Sequence, residues 1–281
     1  MPRRALTSRF PALAPAVVES RIALKAMQTC RPEYRLHRAP AALFPFRVHK
    51  HHSVLRRRLG DADPRLQELK VQNLRRAAEE LDGLSIAPGQ VFSYWKHIGR
   101  PSARRGFGTG MLISDERPIE GQGGGLCQMA NLLYWMVLHS PLTVTEHHHH
   151  SLDLFPDSGR VLPFGSGASV FYNYVDLQFR NDTPDTFRLS VWLDDTSLHG
   201  ELRVNREPQY TYRITEEDHR FYRRGAQVYR TNRLYQVQTD RRTGNRLGKR
   251  LVTFNDSRVL YEVDEARIDR HEHDGGPASS A

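Results

Sequence analysis

The residue of this sequence best placed to do chemistry is Cys127, which follows three consecutive glycines. Glycine has no Cβ, so this stretch can make a turn that other residues would block. The apolar run 126–139 comes next and predicts a helix with Cys127 in its first turn. Free N–H groups and the helix dipole favour an anion at this end, which predicts a lowered thiol pKa and an oxyanion site. The predicted turn and oxyanion residues are Gly123, Gly124, Gly125 and Gln128.

Packing is the alternative interpretation of the same residues. Free cysteine is among the most buried residue types, and Cys127 can be a small hydrophobe at a helix start, with the glycines present for close packing. On this interpretation the segment stabilises the fold and carries no reaction.

A nucleophilic cysteine needs a base, usually histidine, and a polar group that orients the imidazole. Four consecutive histidines, 147–150, follow the predicted helix after one strand, in the Cys-then-His order of papain-like folds. The orienting candidates are Asn173 and Asp176, which lie on opposite faces of a strand predicted over 170–180. The sequence pattern does not show which of these two residues orients the imidazole.

The four histidines also raise the question of a metal site. In a strand, only two of them share a face, and no cysteine or carboxylate at suitable spacing completes a ligand set. We therefore predict no metal and no cofactor.

Charge separates the chain into an arm and a body. Residues 1–60 hold thirteen Lys and Arg against two acidic residues, a net charge of +11, whereas the whole chain of 281 residues carries +9. Such an arm is either solvated or binds an anionic membrane surface, and the body has no recognisable nucleic-acid-binding motif. We therefore predict no nucleic-acid partner.

Cysteine content and hydropathy predict the compartment. Cys30 and Cys127 lie far apart in different contexts, so a disulfide is not expected and a reducing compartment fits best. The sequence has no apolar run of the roughly 18 residues that a membrane-spanning helix needs, and its start does not resemble a signal peptide. The expected location is the cytoplasm, or the periphery of the inner membrane.

Periodicity predicts an α+β fold with a buried central helix on a mostly antiparallel sheet, of the papain or transglutaminase kind. The clearest helix covers 64–82, between Pro64 and Gly83. A hairpin is predicted over 111–122, a strand over 142–146, a second hairpin over 170–193, a strand over 198–204 and two or three strands in 209–262. We expect a basic N-terminal arm (1–60), a core domain (61–206), a β-rich C-terminal extension (207–270) and a disordered tail (271–281).

The run Gly-Gly-Gly-Leu-Cys-Gln-Met-Ala-Asn-Leu-Leu-Tyr-Trp-Met at 123–136 resembles the signature of the VanW family. The segments 138–142, 162–168 and 171–179 match as well, and the likeness extends over residues 40–205. The resemblance places Cys127 and His150 on the family's Cys-Gln and His-Ser motifs.

The resemblance implies a link to glycopeptide resistance or peptidoglycan metabolism. Two hypotheses follow from it. In the first, the protein is a Cys-dependent acyltransferase or amidase on a peptidoglycan-related peptide, with Cys127 as nucleophile, His150 as base and Asp176 or Asn173 as orienting group. In the second, it is a non-catalytic accessory or binding module of the cell envelope.

Overall fold

The computed structural model describes residues 14–56, 64–114, 117–149, 152–153 and 162–269. Its α-helices are α1 (Ala14–Gln28), α2 (Pro64–Leu81), α3 (Tyr94–Ile98) and α4 (Cys127–Leu138). Its strands are β1 (His37–Arg38), β2 (Phe46–Val54), β3 (Leu84–Ile86), β4 (Val91–Ser93), β5 (Thr109–Ser114), β6 (Arg117–Gln122), β7 (Thr143–Glu146), β8 (Leu152–Asp153), β9 (Gln178–Arg180), β10 (Phe187–Leu193), β11 (Ser197–Val204), β12 (Tyr210–Arg224), β13 (Gln227–Asp240), β14 (Arg246–Val259) and β15 (Ile268–Asp269). The chain divides into two compact units, unit 1 (1–148 with 168–208) and unit 2 (149–167 with 209–281).

The main sheet of unit 1 is antiparallel, with strand order β1-β3-β10-β11-β2. Apolar and polar residues alternate along β10 and β11, so one face of the sheet is buried. Leu189, Val191 and Leu202 on that face are each 2% exposed. The strands predicted over 187–193 and 198–204 are therefore confirmed.

Helices α2 and α4 pack against this sheet, α2 mainly on β10 and α4 on β2 and β11. Helix α2 is buried along one side at Val71, Leu74 and Leu81, and α4 is buried over nearly all of its length. Both predicted helices are confirmed. Gly200 lets α4 approach β11 closely, since a Cβ there would lie 2.6 Å from the Met136 Cε.

A smaller antiparallel sheet, β4-β9-β7, shows where the strand prediction failed. The strand predicted over 170–180 begins only at Gln178, and the pairing of residues 171 and 175 closes a turn instead. Aromatic and β-branched content suggested a strand, but Asn173 adopts a left-handed φ of 57° that ends extended structure. The predicted hairpin over 170–193 is also wrong, because β9 pairs with β4 and β7 whereas β10 pairs with β3 and β11.

Much of the basic segment 1–60 has regular structure. Residues 14–28 form α1, and β2 pairs with β11 along its whole length. No α-helix within the described ranges is long and apolar enough to cross a membrane.

Unit 2 is built on a meander of three long antiparallel strands, β12, β13 and β14. A turn over 241–245 joins β13 to β14, and β15 and β8 add parallel pairings at the two edges. Inside lie the apolar cluster of Phe221, Val259 and Ile268 and a buried ion pair, Arg230 with Asp153 at 3.1 Å. The α+β class with mostly antiparallel sheets is confirmed.

Candidate ligand cavity at Cys127

The glycine turn before α4 depends on backbone conformations and distances that other residues do not allow. Gly123 and Gly125 have φ values of 75° and 89°, which side chains with a Cβ rarely adopt. Gly124 lies against the backbone of Gly110 on β5, and a Cβ on Gly124 would come within 2.0 Å of the Gly110 carbonyl carbon. The turn is therefore fixed by close backbone packing.

Asn73 on α2 holds this turn in place. Its side chain is fully buried, and its Nδ2 donates to the carbonyl oxygens of Gly124 at 2.9 Å and Gly108 at 3.1 Å. Its Oδ1 accepts from the Gly108 N–H at 2.7 Å. Sequence reasoning missed this residue. The signal it offered was a polar side chain one turn before Ala77, on the buried face of an otherwise apolar helix stripe.

Cys127 is the first residue of α4, as the sequence predicted. The preceding residue, Leu126, is held by the buried hydroxyl of Tyr94, which donates to the Leu126 carbonyl at 2.8 Å. The Cys127 thiol itself donates to the carbonyl oxygen of Val170, with an Sγ–O distance of 3.8 Å. The sulfur is therefore fixed between the helix start and the segment after Ala168.

The predicted lowering of the Cys127 pKa is wrong for this arrangement. Burial raises the pKa of the thiol, because loss of water disfavours the thiolate more than the local hydrogen bonds favour it. The position at a helix N-terminus does not overcome this desolvation. In this state Cys127 is a protonated thiol at neutral pH.

A cavity of about 270 Å³ opens beside Cys127. Aromatic rings form much of its wall, and Arg100 contributes the one guanidinium group among its lining residues. The wall is completed by helix α1, which presents Val18, Glu19 and Ile22. Concave clefts with mostly apolar walls and few polar groups are typical binding sites for small molecules.

Asp176, one of the two predicted orienting groups, lies fully buried beneath this cavity. Its carboxylate accepts from the Ser93 hydroxyl at 2.5 Å, the Gln178 amide at 2.9 Å and the Trp95 N–H at 3.1 Å. In the described part of the chain none of its donors is an imidazole. Burial raises the pKa of Asp176, and its visible role is to position α3 and with it the Trp95 wall of the cavity.

Asn173, the other orienting candidate, sits at the tip of the 171–175 turn. Its Nδ2 donates to the carbonyl oxygen of Ile22 at 3.1 Å, so it links the turn to α1. Trp95 supports the same turn from inside, because its Nε1 donates to the Val175 carbonyl at 3.0 Å. The structure thus brings Asn173 to the α1 side of the cavity.

Gln128 and His150 complete the predicted site. The Gln128 amide donates to the Ser53 hydroxyl at 2.9 Å and to the Val54 carbonyl at 2.8 Å, so it ties α4 to β2 and does not line the cavity. His150 lies outside the residues that the structure describes. The geometry therefore joins Cys127 and Gly123 at the cavity and gives no distance from the thiol to the predicted base.

The neighbouring histidines have other contacts. The His147 ring stacks on Tyr134 with centroids 3.9 Å apart, and the His148 Nε2 lies 3.3 Å from a Glu146 carboxylate oxygen. Over the described ranges, no group of three or more histidine, cysteine or acidic side chains is arranged to hold a metal ion.

Three polar contacts between described residues connect α1 to the rest of unit 1 around the cavity. Arg100 lies 3.5 Å from the Glu19 carboxylate, Asn173 binds the Ile22 carbonyl, and Lys25 forms an ion pair with Glu146. Sequence reasoning missed Glu19 and Arg100 as site residues, since they are 81 positions apart and only the fold brings them together.

Residues 69–203 match the family model described as VanW like protein. The chain is 32% identical over 200 residues to the vancomycin B-type resistance protein VanW of Enterococcus faecalis, covering 71% of this chain and 73% of that protein. It is also 25% identical over 109 residues to the uncharacterized protein YoaR of Bacillus subtilis, covering 39% of this chain and 34% of that protein. No solved structure matches significantly.

Proposed function

The chain belongs to the VanW family, and we propose that it acts in cell-wall metabolism or glycopeptide resistance by binding a small peptidoglycan-related ligand in the Cys127 cavity. The observation that carries this proposal is the position of the cavity. Apart from α1, every residue that lines it lies within 69–203, the segment that matches the family model. The name of the Enterococcus relative supports the link to vancomycin resistance.

Binding is favoured over catalysis by the state of the polar groups. The pKa of the Cys127 thiol is raised, and the thiol donates a hydrogen bond to the Val170 carbonyl. The Asp176 carboxylate is saturated by hydroxyl and amide donors. A protonated thiol and a fully bonded carboxylate give affinity and shape to a pocket, whereas a nucleophilic cysteine works as the thiolate.

A Cys-dependent acyl-transfer or amide-cleaving enzyme, of the papain or transglutaminase kind, is the second candidate. It is favoured by one observation, the location of the Cys127 sulfur on a cavity wall at the first turn of a helix. In this mechanism His150 takes the thiol proton, the sulfur bonds to the substrate carbonyl carbon, and the amide nitrogen leaves with that proton. Water or an amine then releases the acyl group from the thioester and restores the thiol.

Location follows from the same chemistry. We place the protein in a reducing compartment, at the cytoplasmic side of the cell envelope, where Cys127 stays a thiol. Contact with an anionic membrane through residues 1–60 is supported by Leu24, Met27 and Leu43, whose side chains are 62%, 66% and 60% exposed. Cations beside exposed apolar side chains are suited to anionic lipid.

Replacement of the thiol separates the two candidates. For a binding protein, Cys127→Ser should bind peptidoglycan stem peptides within a few-fold of the parent and restore resistance in a deletion strain. For an enzyme, the variant should fold and bind but lose the phenotype, and His150→Ala should lose it equally, because members of one catalytic unit are not additive. Cys30→Ser is the control, since Cys30 is exposed. Loss of the phenotype in well-folded Cys127→Ser protein would overturn the binding proposal.

A further inference from the structure

We infer that α1 is a displaceable cover over the Cys127 cavity, and that the ligand beneath it is an apolar or aromatic anion whose acidic group takes the place of Glu19 at Arg100. This inference rests on the proposed binding function and describes the chemistry of the part of the ligand that enters the cavity. It follows from how α1 is attached, from the charges around the cavity and from the side chains of its wall.

The attachment of α1 is thin. None of its residues from 15 to 28 is buried, although it covers a cavity, and its outer side leaves Leu24 and Met27 in solvent. Val18 and Ile22 face the cavity and are only partly buried. Since burial of apolar surface supplies most of the free energy that holds a helix in place, α1 is held mainly by its polar contacts, the Asn173 bond to Ile22 and the Lys25–Glu146 ion pair, and its detachment costs little beyond the loss of these.

The charges at the cavity mouth are one cation and one anion. Arg100 and Glu19 are the lining residues that carry charge at neutral pH, and their side chains are 65% and 59% exposed. At 3.5 Å in solvent this ion pair contributes little stability. A ligand carboxylate or phosphate can therefore replace Glu19 and form the two parallel hydrogen bonds that a guanidinium offers to a planar anion.

Arg100 does not depend on Glu19 for its position. Its guanidinium lies 5.6 Å from the centre of the Tyr172 ring, and its backbone carbonyl accepts from Arg105 at 3.2 Å. When α1 leaves, Arg100 stays at the mouth as an unneutralised cation. A cationic ligand is thereby disfavoured, even though the wall is aromatic.

The wall defines the other part of the ligand. Trp95 and Tyr172 meet edge to face at 5.6 Å, and Phe171 and Tyr174 continue the same surface. Aromatic surfaces of this kind bind apolar chains and rings. The ligand class is therefore an apolar or aromatic body with one anionic end.

The test uses the full chain in a Cys30→Ser background, so that Cys127 is the one thiol that a reagent can modify. The probes are N-acetylphenylalanine, its uncharged amide, phenyl phosphate and phenethylammonium, with affinities from titration calorimetry. The variants are Glu19→Gln, Arg100→Gln and the matched control Glu207→Gln, an exposed acid that does not line the cavity.

We expect Glu19→Gln to bind the carboxylate probe about three- to tenfold more tightly, because a competing ion pair is gone. The same variant should speed alkylation of Cys127 several-fold, while Glu207→Gln changes neither. Arg100→Gln should remove the preference for the anion over the amide. Equal gains for phenyl phosphate identify the phosphate as an alternative ligand end, and a gain for one probe alone selects it.

Two results would overturn the inference, and they differ in what they say of the proposed function. If the acid and the amide bind equally and Glu19→Gln changes neither affinity nor alkylation, the cavity binds ligands but α1 is not a competing cover. If no probe binds any variant and Cys127 stays unreactive throughout, the inference and the binding proposal both fail.

Discussion

Two glycine turns in the described part of this molecule are each held by a buried asparagine, and the turn before Cys127 borders a cavity. In unit 1, Asn73 holds the Gly124 carbonyl. In unit 2, Asn232 donates to the Phe164 carbonyl at 2.8 Å, and Asn255 fills the space where a Cβ on Gly165 would lie. Both units therefore contain a glycine turn that is held by a buried asparagine side chain. A glycine turn is therefore evidence of close packing by itself, and the proposal of a ligand site at the first turn rests on the cavity beside Cys127.

The interior of each unit differs in a second way. Unit 1 is filled mainly by apolar side chains from α2, α4 and the sheet, and its buried Asp176 is bonded to neutral donors. Unit 2 contains a buried ion pair instead, with Arg230 and Asp153 each 3% exposed. The Tyr261 hydroxyl also donates to Asp153 at 2.8 Å. The stability of unit 2 therefore depends in part on a buried ion pair, whereas the stability of unit 1 depends mainly on apolar packing.

The largest effect is expected in unit 2. Arg230→Met leaves the buried Asp153 without its cation and should lower the free energy of unfolding of that unit by about 3–5 kcal/mol. The matched control is Arg233→Met, which removes an exposed ion pair with Asp218 and should cost about 0–1 kcal/mol. Hydrogen exchange at the β12–β14 amides measures both. Equal losses of stability in the two variants would show that the buried ion pair contributes no more than the exposed one.

Glycine substitutions come next. Gly124→Ala should cost about 3 kcal/mol, since the new Cβ would meet the Gly110 backbone, which cannot move aside as a flexible side chain can. Gly165→Ala should be comparably costly, from its φ of 74° and the contact with Asn255. Gly248→Ala, with open space around it, should change stability by less than about 0.5 kcal/mol. Only Gly124→Ala should also weaken ligand binding, and a loss of binding in Gly165→Ala would contradict this separation.

The losses of stability on replacing Asn73 in unit 1 and Asn255 in unit 2 should differ by a smaller amount. Asn73→Ala removes a side chain that makes hydrogen bonds to Gly108 and Gly124, and should cost unit 1 about 2–3 kcal/mol. Asn255→Ala should cost less, about 1–2 kcal/mol, because it removes mainly the bond from Nδ2 to Asn232 Oδ1 at 2.6 Å, whereas the Asn255 Oδ1 has no hydrogen-bond partner among the described residues. Urea unfolding followed by tryptophan fluorescence reports the first, since all three tryptophans lie in unit 1. Exchange of the β14 amides reports the second, and a larger loss for Asn255→Ala would reverse the comparison.

Acid should lower the stability of unit 1 through three of its histidines. Burial lowers the pKa of His49 to about 3 and those of His51 and His97 to about 4, all in unit 1. The unfolded chain therefore binds more protons than the native one below about pH 6.5. Stability from these residues is complete above that pH and falls as the pH drops toward 4. Tryptophan-monitored urea midpoints at pH 7.5, 6 and 5 should decline, and His97→Phe should flatten the decline. A midpoint independent of pH would refute this.

The sequence predicted the elements that local periodicity defines. Helices α2 and α4 and the strands β10 and β11 follow from apolar spacing and from caps that lie within a few residues. The segment 170–180 failed because its aromatic residues form the wall of a cavity around a turn, and wall-forming side chains show the same composition as a strand. Asn173, a residue type that tolerates left-handed φ, was the local sign of that turn.

The site was predicted only as far as it is local. Cys127 and the glycine turn are recognisable because the required residue types are adjacent in the chain. Glu19, Arg100 and Asn73 were not, since each acts on a partner that is distant in sequence and is brought near by the sheet and helices. The direction of the Cys127 pKa could not be predicted either, because it depends on how completely the surrounding side chains exclude water.

The pairing of β8 with β14 has a consequence for biosynthesis. Leu152 and Asp153 pair with Arg258 and Val259. When β8 is synthesised, the strand with which it pairs has therefore not yet been translated. At about 5–20 residues per second, translation takes on the order of 5–20 s to supply it. During that interval unit 1 already has β10 and β11 from the intervening chain. Unit 2 is thus assembled last, and a chain that ends before residue 246 and has been released from the ribosome should be protease-resistant over 168–208 and sensitive over 210–240.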